Sequence, residues 1–261
     1  MFSLTSHVVD IYRHWSLIGH LVGRELKARY RGSVLGFLWS FLNPLLLLSV
    51  YALVFSIYMR IQMDNYSAFM FTGLLPWIWV STSLLDSTTS IVSGGSLVTK
   101  VVFPLQVLPT VKVLAALVNY LLSLPILFIF LSIMGLYPTW TFFYFLLVAA
   151  IAIPLVWGMG LIFCTINVFY RDVQHILGNL LTLWFFVTPI LYPISRVPER
   201  FVPLVKLNPM ARLMMAFQDI FFFRRPPNWI DLAILLVLGL ILSVVGIILF
   251  DRYKESFAEL V

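Results

Sequence analysis

The chain has 261 residues, of which 61% are hydrophobic and 11% are charged, with a mean hydropathy of +1.00 and a formal net charge of +6. A soluble globular domain carries about 25% charged residues, so this composition excludes a chain that folds around one core in water. The composition therefore predicts a protein that lies mostly inside a membrane.

The N-terminal segment, residues 1–33, combines an apolar stripe with basic residues. The stripe recurs at steps of three and four, and it comprises Leu4, Val8, Ile11, Trp15, Ile18 and Val22. The basic cluster just before the first long apolar run comprises Arg24, Lys27, Arg29 and Arg31. This segment predicts an amphipathic helix at the membrane surface, on the cytoplasmic side. We expect no removable signal peptide, because the first 30 residues lack an apolar core followed by a small-residue cleavage site.

Six later segments are apolar and long enough, at roughly 20 residues, to cross a bilayer as helices. They are Val34–Tyr58, Tyr66–Leu85, Val107–Met134, Trp140–Phe169, Ile176–Ile194 and Trp229–Phe250. The pattern predicts an all-α polytopic membrane protein in which residues 34–250 form a six-span transmembrane domain. An even number of spans returns residues 251–261 to the cytoplasm as a polar tail.

The last outer loop, residues 195–228, contains two apolar patches that are shorter than a span. Phe201–Leu207 and Met210–Phe223 lie on either side of Asn208-Pro209. Runs of this length are typical of re-entrant segments, whose non-helical backbone must be buried in protein or line a cavity. We predict two short re-entrant helices in this exit loop. The alternative is an amphipathic loop that lies on the membrane surface.

The chain lacks the motifs of an enzyme. It has no phosphate-binding loop, no Asp-x-Asp pair, no zinc-binding His-Glu-x-x-His and no Gly-x-Ser-x-Gly. Cys164 cannot form an intrachain disulfide, Lys112 lies within a predicted span, and Asp86 lies just beyond another. Asp86 lies either on a pathway or at headgroup level. We therefore predict a transport subunit that carries no metal or cofactor, does not bind nucleic acid, and takes its energy from another chain.

An aromatic stripe follows the first predicted span. At 100° per residue its members fall within an arc of about 100° on one side of a helix. The stripe comprises Phe37, Phe41, Tyr51, Phe55 and Tyr58. Such a stripe suits a dimer seam or a path along which sugar rings slide, and the alternative is packing against lipid.

Three sequence blocks resemble the membrane permease of ABC-2-type polysaccharide exporters, which move O-antigens, capsules and teichoic acids. The blocks are 29–45, 167–173, and 188–193 followed by 207–210. They occur in order and cover essentially the whole chain. The resemblance implies a homodimer in the bacterial cytoplasmic (inner) membrane, with both termini in the cytoplasm. It also implies two copies of an ABC ATP-binding subunit, which would hold ATP and Mg.

The resemblance further implies a polyprenyl-diphosphate-linked glycan as substrate, which would enter from the cytoplasmic leaflet past the N-terminal helix. A diphosphate needs clustered Arg and Lys donors, which are present at Arg24, Lys27, Arg29 and Arg31. The resemblance places the coupling helix for the ATPase in loop 93–106, with a second cytoplasmic turn nearby. The coupling residues would be Ser96, Lys100, Tyr170, Arg171 and Asp172.

Two alternatives stay open at this point. The first is an ABC-2 exporter of drugs or lipids, against which the aromatic stripe and the exit-loop block argue. The second is a membrane-embedded transferase that acts on lipid-linked sugars, against which the absent acid pair argues. The sequence does not identify the glycan.

Overall fold

The computed structural model describes residue 9 and residues 11–58, 60–61, 63–95 and 104–260, without the side chains of Tyr30, Phe37 and Ala258. Within these residues all regular secondary structure is helical. The α-helices are α1 Trp15–Tyr30, α2 Trp39–Ala52, α3 Tyr66–Ser93, α4 Val107–Ile133, α5 Tyr144–Phe169, α6 Val173–Val187, α7 Val202–Leu207, α8 Pro209–Phe221 and α9 Trp229–Leu260. A π-helical turn, Leu53–Tyr58, extends α2, and the 3-10 turn Trp140–Phe143 leads into α5.

Five helical segments in this part of the chain are long and apolar enough to cross a membrane. They are Trp39–Tyr58, Tyr66–Ser93, Val107–Ile133, Trp140–Phe169 and Trp229–Phe257. They confirm five of the six predicted spans by length and composition. The sixth predicted span corresponds to α6. The 15 residues of this helix rise only about 22 Å, which is less than the ~30 Å of a bilayer core. The count of six spans therefore stays a prediction.

Backbone chemistry explains where the helices begin and end. Gly32 and Gly36 adopt positive φ angles of 79° and 47°, so the chain turns between α1 and α2, and α2 begins at Trp39 rather than Val34. The helix α6 ends at Val187 rather than Ile194. Thr188 is extended there because a residue that precedes a proline disfavours the helical conformation.

Two helices are longer than predicted. The helix α3 continues eight residues past Leu85, to Ser93, and therefore includes Asp86. The helix α9 continues past Phe250 to Leu260, so the predicted polar tail is a continuation of the last apolar helix.

The central helix of the bundle is α3. It is mostly buried and packs against α2, α4, α5, α6 and α8. The most extensive contact between two helices joins α5 and α9. The amphipathic helix α1 lies on α4, where Ile18 is buried against Val107 and Val111.

The bundle has two ends, which we name by what lies there. At the α1 end, the last turn of α3, the first turn of α4 and the ends of α5 and α9 share a small buried cluster that includes Ile91, Leu108, Val168 and Phe257. At the loop end, the Tyr66 hydroxyl donates a hydrogen bond of 2.7 Å to the Leu191 carbonyl. The helix α3 runs from the loop end, at Tyr66, to the α1 end, at Ile91.

The longer of the two exit-loop helices lies inside the bundle. Nine of the 13 residues of α8 are buried, and the helix packs among α3, α5 and α9. This packing differs from that of a loop on the membrane surface. The re-entrant character of α7 and α8 depends on where the bilayer lies and stays a prediction.

Glycines allow α5 and α9 to pack backbone to backbone. A Cβ atom on Gly158 would lie 2.5 Å from the backbone of Leu242 and Ser243. A Cβ atom on Gly246 would lie 2.7 Å from the Gly158 carbonyl oxygen, and the Ser243 hydroxyl donates to the Pro154 carbonyl at 2.8 Å. Small residues serve this purpose in membrane bundles because lipid supplies no hydrophobic drive between helices.

We predict that Gly158→Ala destabilises the protein by about 1–3 kcal/mol, the usual cost of overpacking, because the new methyl group would meet backbone that cannot rotate away. The matched control is Gly19→Ala in α1, where nothing lies within 4 Å of the added carbon. Unfolding in mixed micelles measures both. An unchanged free energy of unfolding for Gly158→Ala would contradict this account of the α5–α9 contact.

The basic cluster predicts that the α1 end faces the cytoplasm. In a Cys164→Ala background, His175→Cys at the α1 end should be protected in intact cells from a membrane-impermeant maleimide. Glu199→Cys at the loop end should react, and both positions are exposed. Both cysteines should react after the cells are broken, which serves as the control. The reverse pattern in intact cells would overturn the orientation.

Candidate functional site

Two ion pairs tie α1 to the bundle. The Arg29 guanidinium contacts an Asp86 carboxylate oxygen of α3 at 2.5 Å, and the Lys112 ammonium of α4 contacts Glu25 at 2.7 Å. Glu25 and Arg29 are four residues apart and therefore share one face of α1. The four side chains are 21–31% exposed, so these pairs are only partly shielded from solvent. Together with the apolar contact at Ile18, they hold α1 against α3 and α4.

The other members of the basic cluster are placed differently. Arg24, Lys27 and Arg31 are exposed, and their side chains make no ion pair or hydrogen bond with any described residue. Arg29 uses one guanidinium nitrogen for Asp86, so its remaining N–H groups keep donor capacity. The structure thus brings the four basic residues to one end of the bundle and leaves three of them accessible to a ligand.

A narrow polar crevice begins at Arg29 and runs between α2, α3 and α4. Polar groups that line it include Ser40, Thr82, Asn119 and Ser123. Deeper in the crevice the Trp79 and Tyr120 rings stack at 5.3 Å, and neither the indole N–H nor the phenol hydroxyl has a hydrogen-bond partner in the described chain. Sequence reasoning did not find this crevice, because its polar residues come from three separate apolar segments.

The predicted aromatic stripe divides between the inside and the outside of the subunit. Tyr51 stacks on Phe185 of α6 at 5.5 Å, and the Phe55 ring lies 6.3 Å from Tyr51. Tyr58 is 72% exposed, Phe41 is partly buried, and the Phe37 side chain lies outside the described set.

Two aromatic residues beside this stripe were missed from the sequence. Trp77 of α3 contacts Phe185 at 5.7 Å, and both line a cavity of about 220 Å³ between α2, α3 and α6. The run Trp184-Phe185-Phe186 was the available signal for the α6 side of this cluster.

The predicted coupling turn lies at the α1 end. Tyr170 is 70% exposed, and the Arg171 guanidinium donates to the Leu260 carbonyl at 3.4 Å. Asp172 is the residue that precedes α6. Ser96 and Lys100 lie outside the described residues. Residues that flank them, Val92 and Leu105, pack against the same buried cluster as Tyr253 of α9, so both parts of the predicted coupling surface occupy one end.

Asparagines in the sequence blocks connect secondary-structure elements to one another. The Asn208 side-chain carbonyl accepts hydrogen bonds from the Met210 backbone at 2.9 Å and from the Trp184 indole at 2.8 Å. Its amide donates to the Thr188 hydroxyl at 3.2 Å. This hydrogen bond links the segment that follows α6 directly to the segment that precedes α8. Likewise, buried Asn167 accepts a hydrogen bond from the Gln174 backbone N–H at 3.2 Å, which satisfies an open donor of the first turn of α6.

Comparison with known proteins places these blocks in a family. The model of the ABC-2 type transporter family matches residues 16–222. An O-antigen export system permease protein RfbA of Myxococcus xanthus is 44% identical over 97% of this chain and 98% of its own length. A protein of the same name from Klebsiella pneumoniae is 34% identical over 94% and 95%, and the polysialic acid transport protein KpsM of Escherichia coli is 24% identical over 89% and 92%.

The family match spans most of the chain, from the start of α1 to the end of α8, and the relatives align over nearly their full length. The matched region contains all three sequence blocks and four of the five long apolar helices. Length, helical architecture and sequence agree, and the chain therefore belongs to the ABC-2 type transporter family of membrane permeases.

Proposed function

We propose that this chain is the permease subunit of an ABC transporter that exports a polyprenyl-diphosphate-linked polysaccharide across the bacterial cytoplasmic membrane. The observation that carries the proposal is the similarity, over almost the whole chain, to two proteins named as O-antigen export permeases. No relative given above is named for drug or lipid export or for glycosyl transfer.

The lipid diphosphate binds, in this proposal, at the α1 end. Arg24, Lys27 and Arg31 supply positive charge that no described carboxylate neutralises. Arg29 adds hydrogen-bond donors. Its guanidinium can exchange Asp86 for a ligand that carries more negative charge. Charge-assisted hydrogen bonds from guanidinium groups to phosphate oxygens are among the strongest available to a side chain. The helix α1 then acts as a cytoplasmic gate, because the residues that would bind substrate also hold the helix in place.

The glycan path and the dimer contact involve α2 and α6. Both helices expose wide apolar faces. Val50 on α2, Ile57 on its π-helical extension, and Leu183 and Val187 on α6 are each more than half exposed. We propose that a second copy of the chain covers part of this surface in a homodimer. The aromatic stripe and Phe185 would then border the route that sugar rings follow, since flat apolar rings pack against the C–H faces of sugars.

Energy is supplied by two copies of a separate ATP-binding subunit, which hold ATP and Mg. They dock on the coupling loop 93–106, with Ser96 and Lys100, and on the turn of Tyr170, Arg171 and Asp172. The shared position of this turn and of both flanks of the loop at the α1 end supports the proposal. It also puts the coupling surface close to the proposed diphosphate site.

Deletion of this chain tests the function. The deletion strain should lose the surface polysaccharide and accumulate lipid-linked glycan on the cytoplasmic side, because synthesis continues while transport stops. Expression of the chain from a plasmid should restore export. In a separate test, the isolated permease should show no saturable ATP binding. Normal surface polysaccharide in the deletion strain would contradict the function, and saturable ATP binding would contradict the dependence on a partner.

Arg31→Lys tests the diphosphate site. The substitution keeps the charge but removes the planar guanidinium, so export should fall roughly tenfold, the loss expected for one charge-assisted hydrogen bond. Arg13→Lys is the matched control, because Arg13 is also exposed and lies before α1 rather than in the cluster. The glycan export rate at equal protein level is the measurement. Equal export by both variants would reject the site and leave the cluster as an orientation signal.

A further inference from the structure

A cavity of about 380 Å³ lies at the loop end of the bundle. Its wall includes Phe69 of α3, which is 17 residues before Asp86 and therefore about 26 Å from it along the helix axis. The cavity is thus separated from the proposed diphosphate site by roughly the thickness of a bilayer core. Its volume falls within the range of small-ligand sites.

Two carboxylates in the cavity wall are each held by an arginine through one oxygen. Asp219 Oδ1 accepts from Arg225 Nε at 2.8 Å and Nη2 at 2.6 Å, and Asp231 Oδ1 accepts from Arg212. The two carboxylate side chains are only 14% and 15% exposed. Neither Oδ2 atom has a hydrogen bond to a described residue, so both carboxylates keep acceptor capacity in a fixed orientation.

Burial raises the pKa of the Asp219 carboxyl, and the hydrogen bond and positive charge of Arg225 oppose that rise. Burial acts this way because it disfavours the charged form of a carboxyl group. A hydroxyl group that donated to Asp219 would stabilise the same charged form. The side chain is therefore suited to a ligand that brings hydrogen-bond donors.

The cavity also offers donors and an aromatic ring. Lys206 and Ser195 line it, and neither side chain has a hydrogen bond or ion pair with a described residue. Phe223 contributes a ring that is 43% exposed, and the Arg225 guanidinium lies 4.9 Å from the ring centroid. Acceptors, donors and an apolar surface thus converge on one space.

We propose that this cavity binds one saccharide unit of the exported glycan through its hydroxyl groups. A sugar ring carries several neutral hydroxyls that both donate and accept, with apolar C–H faces between them, and it matches this mixed wall. A purely apolar ligand would leave the Oδ2 atoms of the two carboxylates without donors, and an anion would be repelled by both carboxylates. The inference rests on the proposed function and extends it, by adding an exit-side sugar site on each subunit.

Binding of free polysaccharide tests the proposal. The probe is polysaccharide released by mild acid from cells that express the chain, and the sample is the permease purified with its ATP-binding subunits in nanodiscs. Saturation-transfer NMR gives the affinity. Asp219→Asn, and separately Ser195→Ala with Lys206→Gln, should weaken binding roughly tenfold, the loss expected for one hydrogen bond to a charged group. Both sets leave the buried core unchanged.

The matched control is Arg200→Gln, an exposed basic residue of the same loop that does not line the cavity, and it should bind as the unmodified protein does. Equal affinity for all variants, or no binding by the unmodified complex, would overturn the saccharide site. Either result is separable from failure of the proposed function, which shows instead as normal surface polysaccharide in the deletion strain.

Discussion

The burial of α3 is the constraint on which the rest of the structure depends. A helix that contacts five neighbours is mostly shielded from solvent, so its charged Asp86 and the buried Tyr66 hydroxyl are stabilised by partners within the protein. Its two ends meet this requirement in different ways. At the α1 end Asp86 pairs with Arg29, and at the loop end Tyr66 donates to the Leu191 carbonyl while Phe69 lines a polar cavity. One rigid element therefore sets the distance between the two charged regions.

Of the two ion pairs at the α1 end, one can be exchanged for a ligand and the other keeps α1 in place. A salt bridge between partly exposed side chains contributes little stability by itself, about 0–1 kcal/mol, so it can hold a helix in place and still be exchanged. A diphosphate offers Arg29 more negative charge than Asp86 does, whereas the pair between Glu25 and Lys112 contains no residue of the basic cluster. In the proposed mechanism one pair is therefore exchangeable, and the other keeps α1 attached to α4.

The motif blocks illustrate how far residue patterns predict roles. The blocks predicted the family correctly, yet two of their asparagines act locally, since Asn167 satisfies the first turn of α6 and Asn208 caps α8 and joins it to Thr188. The predicted basic cluster is assembled at one end, but its members differ, because Arg29 has a carboxylate partner and Arg31 has none among the described residues. A partner that is 57 residues away in sequence leaves no local signal.

The sequence alone determined the features that follow from local chemistry: the membrane class from composition, five long helices from long apolar runs, and the amphipathic character of α1 from its spacing. Tertiary structure decided the rest. It determined that α8 is buried, that Tyr51 stacks on Phe185, and that residues from α3, α7 and α8 line one cavity. In a chain that is apolar on nearly every face, hydrophobic periodicity cannot distinguish a face that packs on protein from one that meets lipid, so only the contacts between helices resolve it.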